Sequence, residues 1–325
     1  MYNIFAMLIK LENLLNKFVG LFFIVAFILA IFLPSTAKLL QPYIVYLLIL
    51  LLFLGFIRID FSMLRSEILG WKYQSYLLFL TLLLVPIIIY YLAHVITDLD
   101  AIPDDFALAA LLIFCVPTGA STPTICNIFN GRLERTMLNI VATYLLVPIT
   151  LPLLIWVLLR HDVKLDLSYL AVFIGTVIII PLLLALLVRK TVPVVSNKLS
   201  SIAPLASLVI IFCIIFASGS ELPRLTEHSL ETVFMGFILA IFLFVVTFIL
   251  GWWLAFKHQP VDKITTAMLA AYPNIGLALV LADQFFAAAY PETVLLIMTC
   301  MIVWPLAIMP TRWMLNIVTK DRNAN

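Results

Sequence analysis

Ten runs of apolar residues recur along the chain, broken only by short polar clusters, and most approach the roughly 20 residues that cross a bilayer as helix. They span 18–33, 43–57, 76–96, 106–129, 136–158, 169–188, 204–218, 232–256, 264–286 and 292–315. Hydrocarbon offers backbone N–H and C=O groups no partner, so a chain built from such runs is restricted to helices that satisfy themselves. With 65% hydrophobic and 11% charged residues and a mean hydropathy of +1.19, the composition lies far from that of soluble domains, which carry about 25% charge. The reading is an all-α polytopic membrane protein. Its first run ends "FLPSTAKLL" and could pass for a secretory signal, but nine further runs follow, so it is read as a retained first helix.

Residues 1–17 place Ile4, Leu8, Leu11 and Leu15 on one helical face, the pattern of an interfacial amphipathic segment. Ten spans put both termini and every second loop on one side, which then holds all of the 19 Lys and Arg except Lys38, Arg160, Lys164 and Arg224. Most acids, including Asp98, Asp100, Asp104 and Asp105, fall opposite. By the positive-inside rule the termini are cytoplasmic, and 316–325 is a cytoplasmic tail. No basic stripe points to nucleic acid. Cys115, Cys126, Cys213 and Cys300 fall within runs without metal-ligand spacing and read as small apolar residues. His94, His161, His228 and His258 lie at run ends or in loops.

The fourth and ninth runs resemble each other. Each is interrupted, by "FCVPTGAST" around Pro117 and by "AAYPNIGLA" around Pro273. Pro148 follows Pro117 by 31 residues and Pro305 follows Pro273 by 32, each with a second proline shortly after, Pro152 and Pro310. Five spans per half is an odd number, so two related halves, 18–158 and 169–315, would enter the membrane from opposite sides as inverted repeats with discontinuous helices 4 and 9. Proline removes a donor and disfavours helix in the residue before it. Pro117 and Gly119 would therefore end one half-helix, with the next starting near Ala120 and Pro123 in its first turn; Pro273, Asn274 and Gly276 would do the same in the ninth run.

Such breaks leave N–H groups at half-helix N-termini, about Gly119 to Thr122 and Asn274 to Gly276, which favour an anion. Thr118, Ser121, Thr122, Thr124, Asn127 and Asn274 add hydroxyl and amide groups, and no charged residue lies near either break. The plainer alternative is a pair of proline kinks whose hydroxyls bond back to the preceding turn; matching positions in a repeat argue for a built site. The expected substrate-binding set is Thr118, Gly119, Ala120, Ser121, Thr122, Asn274, Ile275 and Gly276, around the breaks at Pro117, Pro123 and Pro273. Gln74, Asp283, Gln284 and Glu292 are expected at the membrane interfaces, and Trp71, Trp252, Trp253, Trp304 and Trp313 in an aromatic belt or in packing.

On these residues the chain resembles the bile acid:sodium symporter family, ten-helix carriers whose broken fourth and ninth helices cross. The family's Pro-Gly-Gly-Thr-Ala-Ser-Asn aligns on "PTGASTP", Pro117 to Pro123, and its Glu-Val-Gly-Met-Gln-Asn-Ser-Gly-Leu on "LAAYPNIGL", Leu269 to Leu277. The segment "NGRLERTMLNIVATYLLVPITLPLL" is similar to the family's fifth helix. Departures fall on the groups that hold sodium in the family: the helix-four Asn is Pro123, the helix-nine Glu and Gln are Leu269 and Pro273, and a helix-three Gln is Thr81. Thr122 and Thr136 stand where the family has Ser, so the resemblance leaves Thr81, Thr122 and Thr136 as a residual ion site. Losing the carboxylate removes the main reason for a sodium ion to bind. Proline at both breaks also resembles the auxin efflux carriers, which need no sodium.

The expected function is secondary transport of a small organic anion by alternating access, with no cofactor, and with Na+ or H+ as the only candidate coupling ions. Sodium-coupled symport of a bile-acid-like or other carboxylate solute is the alternative; a non-transporting membrane sensor is an alternative of another class. Paired carboxylates, a metal cluster or an activated nucleophile, which would mark an enzyme, are missing near the breaks. The expected location is the bilayer of a bacterial inner (cell) membrane.

Overall fold

The computed structural model describes residues 19–59, 71–98, 102–119, 121–159, 166–221 and 230–323. Every regular element among them is helical: α1 (Val19–Phe32), α2 (Pro34–Leu40), α3 (Ile44–Ile57), α4 (Trp71–Phe79), α5 (Val85–Thr97), α6 (Asp104–Cys115), α7 (Thr122–Ile128), α8 (Leu133–Leu159), α9 (Leu167–Thr191), α10 (Pro193–Ser218), α11 (Leu230–Leu254), α12 (Pro260–Ala271), α13 (Ile275–Phe285) and α14 (Pro291–Asn323). The expected interfacial segment 1–17 and site residue Ala120 lie outside the described residues. The last helix runs on to Asn323, through most of the expected tail.

Among the described residues, six helical stretches are long and apolar enough to cross a membrane: Pro34–Ile57, Trp71–Thr97, Leu133–Leu159, Leu167–Thr191, Pro193–Ser218 and Leu230–Leu254. The fourth and ninth apolar runs are instead split, as their prolines predict, into α6 and α7 and into α12 and α13. Proline alone does not break a helix here. Pro148 and Pro152 lie inside α8, and Pro305 and Pro310 inside α14, since a membrane helix can re-satisfy the freed carbonyls locally. In the third run the adjustment is a π-helical turn over Leu80–Leu84, where the Val85 N–H bonds the Leu80 carbonyl. Pro86 has no N–H for the carbonyl four residues back, and widening the turn relieves its ring.

The split helices form the centre. Phe106 to Cys115, Ile264 to Ala271 and Gly276 to Ala282 are buried at every position. A helix apolar on all sides belongs inside, and only there is broken backbone tolerated at membrane depth. Around them α3 packs on α9 and α10, α5 on α6, and α11 on α12 and α14. The outer helices turn bulky apolar side chains outward, among them Val172, Leu183 and Leu187 of α9 and Phe234, Ile241 and Ile249 of α11. So large an exposed apolar surface fits lipid and not water.

A close contact between α11 and α12 runs through Gly251 on α11. A Cβ there would stand 2.8 Å from Ala267 Cα and from the Thr266 carbonyl oxygen, and 2.9 Å from Ala270 Cβ. Small residues let membrane helices approach by backbone, and backbone cannot step aside. Gly251→Ala is expected to destabilise the fold by about 1–3 kcal/mol, read as a lower melting temperature in detergent; an unchanged value would mean α11 and α12 do not meet at this glycine.

Candidate functional site

The two breaks meet. After α6 the chain extends through Val116 and Pro117, and after α12 through Tyr272 and Pro273; Thr118 and Pro273 form an isolated antiparallel bridge. Gly119 N donates to the Tyr272 carbonyl at 2.9 Å and Asn274 N to the Pro117 carbonyl at 2.8 Å. Both bonds come from residues flanking the bridged pair, the arrangement in which the central residues exchange none. Pro273 therefore loses nothing by lacking an N–H. A Cβ at Gly119 would stand 3.1 Å from the Pro273 carbonyl oxygen and 3.2 Å from that of Tyr272, so a side chain here would press on the backbone of the other break.

Side chains lock the pair. Thr122 Oγ1 donates to the Tyr272 carbonyl at 3.0 Å. Asn274 caps α13 by accepting from Leu277 N at 3.1 Å, while its Nδ2 donates to the Tyr144 hydroxyl at 2.5 Å. The Tyr144 ring meets Phe56 edge-on, with centroids 5.1 Å apart. On the other break, Asn139 Nδ2 donates to Thr118 Oγ1 at 3.0 Å and Thr118 N to Thr143 Oγ1 at 3.4 Å. Asn139 Oδ1 in turn accepts from Gln74 Nε2 at 3.4 Å.

Asn139, Thr143 and Tyr144 all come from α8, where their spacing forms a polar stripe with Thr136 along one helical face. That stripe was the available sign of an inward-facing fifth run, and it went unread. Gln74, expected at a membrane interface, has its side chain buried against Asn139. Its Oε1 is buried without a hydrogen-bond partner.

The expected row of free N–H groups is also corrected. Gly119 and Asn274 spend theirs on the opposite break, Thr122 N donates to the Gly119 carbonyl, and Ile275 N to that of Pro273. One break supplies the acceptors that the other lacks. Ser121 is exposed, whereas Thr118, Thr122, Pro123 and Gly276 are buried. The side chains of Thr124 and Asn127 lie outside the described residues.

The three threonines of the residual ion site each donate the hydroxyl hydrogen to a neighbour, which leaves the oxygen lone pairs free to face a cation. Thr81 Oγ1 donates to the Leu77 carbonyl at 2.8 Å, Thr122 to Tyr272, and Thr136 to the Arg132 carbonyl at 2.8 Å and to Cys126 Sγ at 3.2 Å. Thr81 does share a small cavity with Thr118, Leu269 and Pro273, closed by Val85, Phe114, Val116 and Ala270. Its volume of about 10 Å³ is roughly what one water needs.

A second tie joins the same two runs at the other end of their half-helices. Asn130, with φ of 59°, closes α7, and Arg132 beyond it donates through Nε to Asp262 Oδ1 at 2.7 Å. Arg135 Nη1 reaches the same oxygen at 2.6 Å, and Arg132 N donates to Thr265 Oγ1 at 2.8 Å. Asp262 is 6% exposed. Two guanidiniums are the compensation that a carboxylate this buried demands.

The Asn274–Tyr144 contact generates a double-mutant test. Tyr144→Phe keeps the ring against Phe56 and loses one hydrogen bond, about 1 kcal/mol; Asn274→Ala loses that bond and the helix cap, about 1 kcal/mol more. The double variant is expected to melt close to Asn274→Ala alone, whereas strictly additive losses would mean the two groups are not bonded.

A model of the SBF-like CPA transporter family matches residues 16–320, from ahead of α1 into α14. No match to a curated protein accompanies it. The family match agrees with the resemblance to bile acid:sodium symporters carried by "PTGASTP" and "LAAYPNIGL". With its apolar helices of membrane length and its paired helix breaks, the chain belongs to the SBF-like CPA transporter family and is an integral membrane protein of that transporter class.

Proposed function

We propose that this chain is a secondary transporter that moves a small organic anion across the membrane by alternating access around the crossing of its two broken helices. The observation that carries the reading is the backbone pairing of Thr118 with Pro273 inside a buried core. In transporters with discontinuous helices the substrate site lies where the breaks meet. The groups proposed for the carboxylate are the Ser121 hydroxyl, the second amide hydrogen of Asn274 and the Gly276 N–H, with Thr118, Gly119, Ala120, Thr122 and Ile275 shaping the site around them. Apolar walls such as Leu269 and Val116 would take the carbon skeleton.

Ten spans in two inverted five-helix repeats, 18–158 and 169–315, fit the same reading. The packing supports it: α5 lies on α6 as α11 lies on α12, and α7 on α8 as α13 on α14. The distribution of Lys and Arg supports cytoplasmic termini in a bacterial inner membrane.

The transport is proposed to be independent of sodium. At the positions where the family holds the ion, this chain offers Leu269, Pro273, the buried Pro123 and a Thr81 hydroxyl already given to Leu77. A cation stripped of water needs several oxygens and a carboxylate, and these side chains supply neither. Uniport, exchange or proton coupling remains.

Uptake into proteoliposomes, measured for a panel of labelled mono- and dicarboxylates in sodium, in choline and after a pH step, tests the proposal. Saturable uptake of at least one carboxylate at equal rate in sodium and choline is expected. Strict dependence on sodium would overturn the coupling claim, and transport confined to cations or neutral solutes would overturn the substrate class.

A further inference from the structure

Where α4 begins and α11 ends, the two helices enclose a groove of about 410 Å³ that has no part in the crossing. Its lysines are Lys72 on α4 and Lys257 in the turn that follows α11. Lys72 Nζ lies 5.9 Å from the centroid of the Trp71 ring, and Lys257 Nζ 5.4 Å from that of Phe256. Both lysines are exposed, and among the described residues neither is paired with a carboxylate. The nearby acid, Asp262, is already shared between Arg132 and Arg135. Among the described residues, no carboxylate offsets the charge of the two lysines.

Its floor is aromatic and fixed in place. The Tyr73 hydroxyl is hydrogen-bonded to Thr266 Oγ1 at 2.8 Å, and the Tyr76 hydroxyl donates to the Leu254 carbonyl at 3.0 Å. The His258 ring rests on these two, its centroid 4.4 Å from Tyr73 and 6.5 Å from Tyr76. The His258 ring lines the groove together with both lysines. Arg135 stacks on Tyr73 at 4.6 Å, which holds that ring from below.

We propose that this groove binds the headgroup phosphate of an anionic phospholipid. The two ammonium groups and the imidazole of this groove complement a phosphodiester anion in sign of charge and in hydrogen-bonding capacity. The setting selects a lipid over free phosphate. The groove opens at the ends of two helices of membrane length, and Phe79, Trp253 and Phe256 on the same elements expose 52%, 64% and 57% of their surface. These are amphipathic and apolar rings at the level where headgroups meet acyl chains. Basic residues clustered at such a boundary draw anionic lipid. By bridging α4 and the end of α11, the lipid would brace the two helices that meet α12, the helix carrying Asp262.

Native mass spectrometry of the full chain, released from micelles holding equal amounts of phosphatidylglycerol and phosphatidylcholine, tests this. The wild type is expected to retain one phosphatidylglycerol in preference to phosphatidylcholine, at roughly five-fold per lysine, and to keep it against millimolar inorganic phosphate. Lys72→Ala with Lys257→Ala is expected to lower that retention by about ten-fold or more, while Lys72→Arg with Lys257→Arg keeps it. The melting temperature of each variant in phosphatidylcholine alone reports folding; if the double alanine variant melts early, the single Lys72→Gln and Lys257→Gln variants are read in its place. Equal retention of the two lipids, retention undiminished in the folded neutral variants, or displacement by inorganic phosphate would each overturn the proposal.

Discussion

Two hydrogen bonds, Gly119 N to the Tyr272 carbonyl and Asn274 N to the Pro117 carbonyl, let this protein carry two interrupted helices through its centre. A helix end leaves backbone groups without partners, and at membrane depth each unsatisfied group costs several kcal/mol. Here each interruption repairs the other. The arrangement brings the breaks to the same depth, leaves little room for a side chain at Gly119, and buries Phe106 to Cys115, Ile264 to Ala271 and Gly276 to Ala282 at every position. The remaining helices form the shell that keeps lipid away from this pairing.

The same two runs are joined again through Arg132, Arg135 and Asp262. The crossing is made of short backbone bonds between extended segments, whereas this second tie uses long side chains around one carboxylate. On the proposed reading the difference matters. The crossing is the point about which the molecule would rock, and the charged tie, where side chains can exchange partners without breaking backbone, is the kind of contact that can open and close.

Much of this was legible in the sequence, and the reasons are local. Proline, glycine and small polar residues inside an apolar run announce a break, and the run lengths announce the membrane. Which prolines break a helix was less legible: Pro117 and Pro273 do, whereas Pro148, Pro152, Pro305 and Pro310 ride inside α8 and α14. What the sequence could not reveal were relations between distant residues. Two of the N–H groups read as free for a ligand, those of Gly119 and Asn274, are taken by carbonyls some 150 residues away, those of Tyr272 and Pro117. Asp262 gave no sign of Arg132, 130 residues earlier. Gln74 sits at the start of its run, where a polar side chain normally meets water, and only packing against α8 turns it inward toward Asn139.

The crossing itself can be tested by covalent capture. Residues facing each other in a non-hydrogen-bonded antiparallel pair have Cα atoms about 4.5 Å apart, within the reach of a disulfide. With Cys115, Cys126, Cys213 and Cys300 replaced by alanine, Thr118→Cys together with Pro273→Cys is expected to form an intramolecular disulfide on mild oxidation and to lose solute uptake until reduced. If both thiols stay reactive and unlinked under oxidation while the protein remains folded, the breaks do not meet, and the account built on their meeting is wrong.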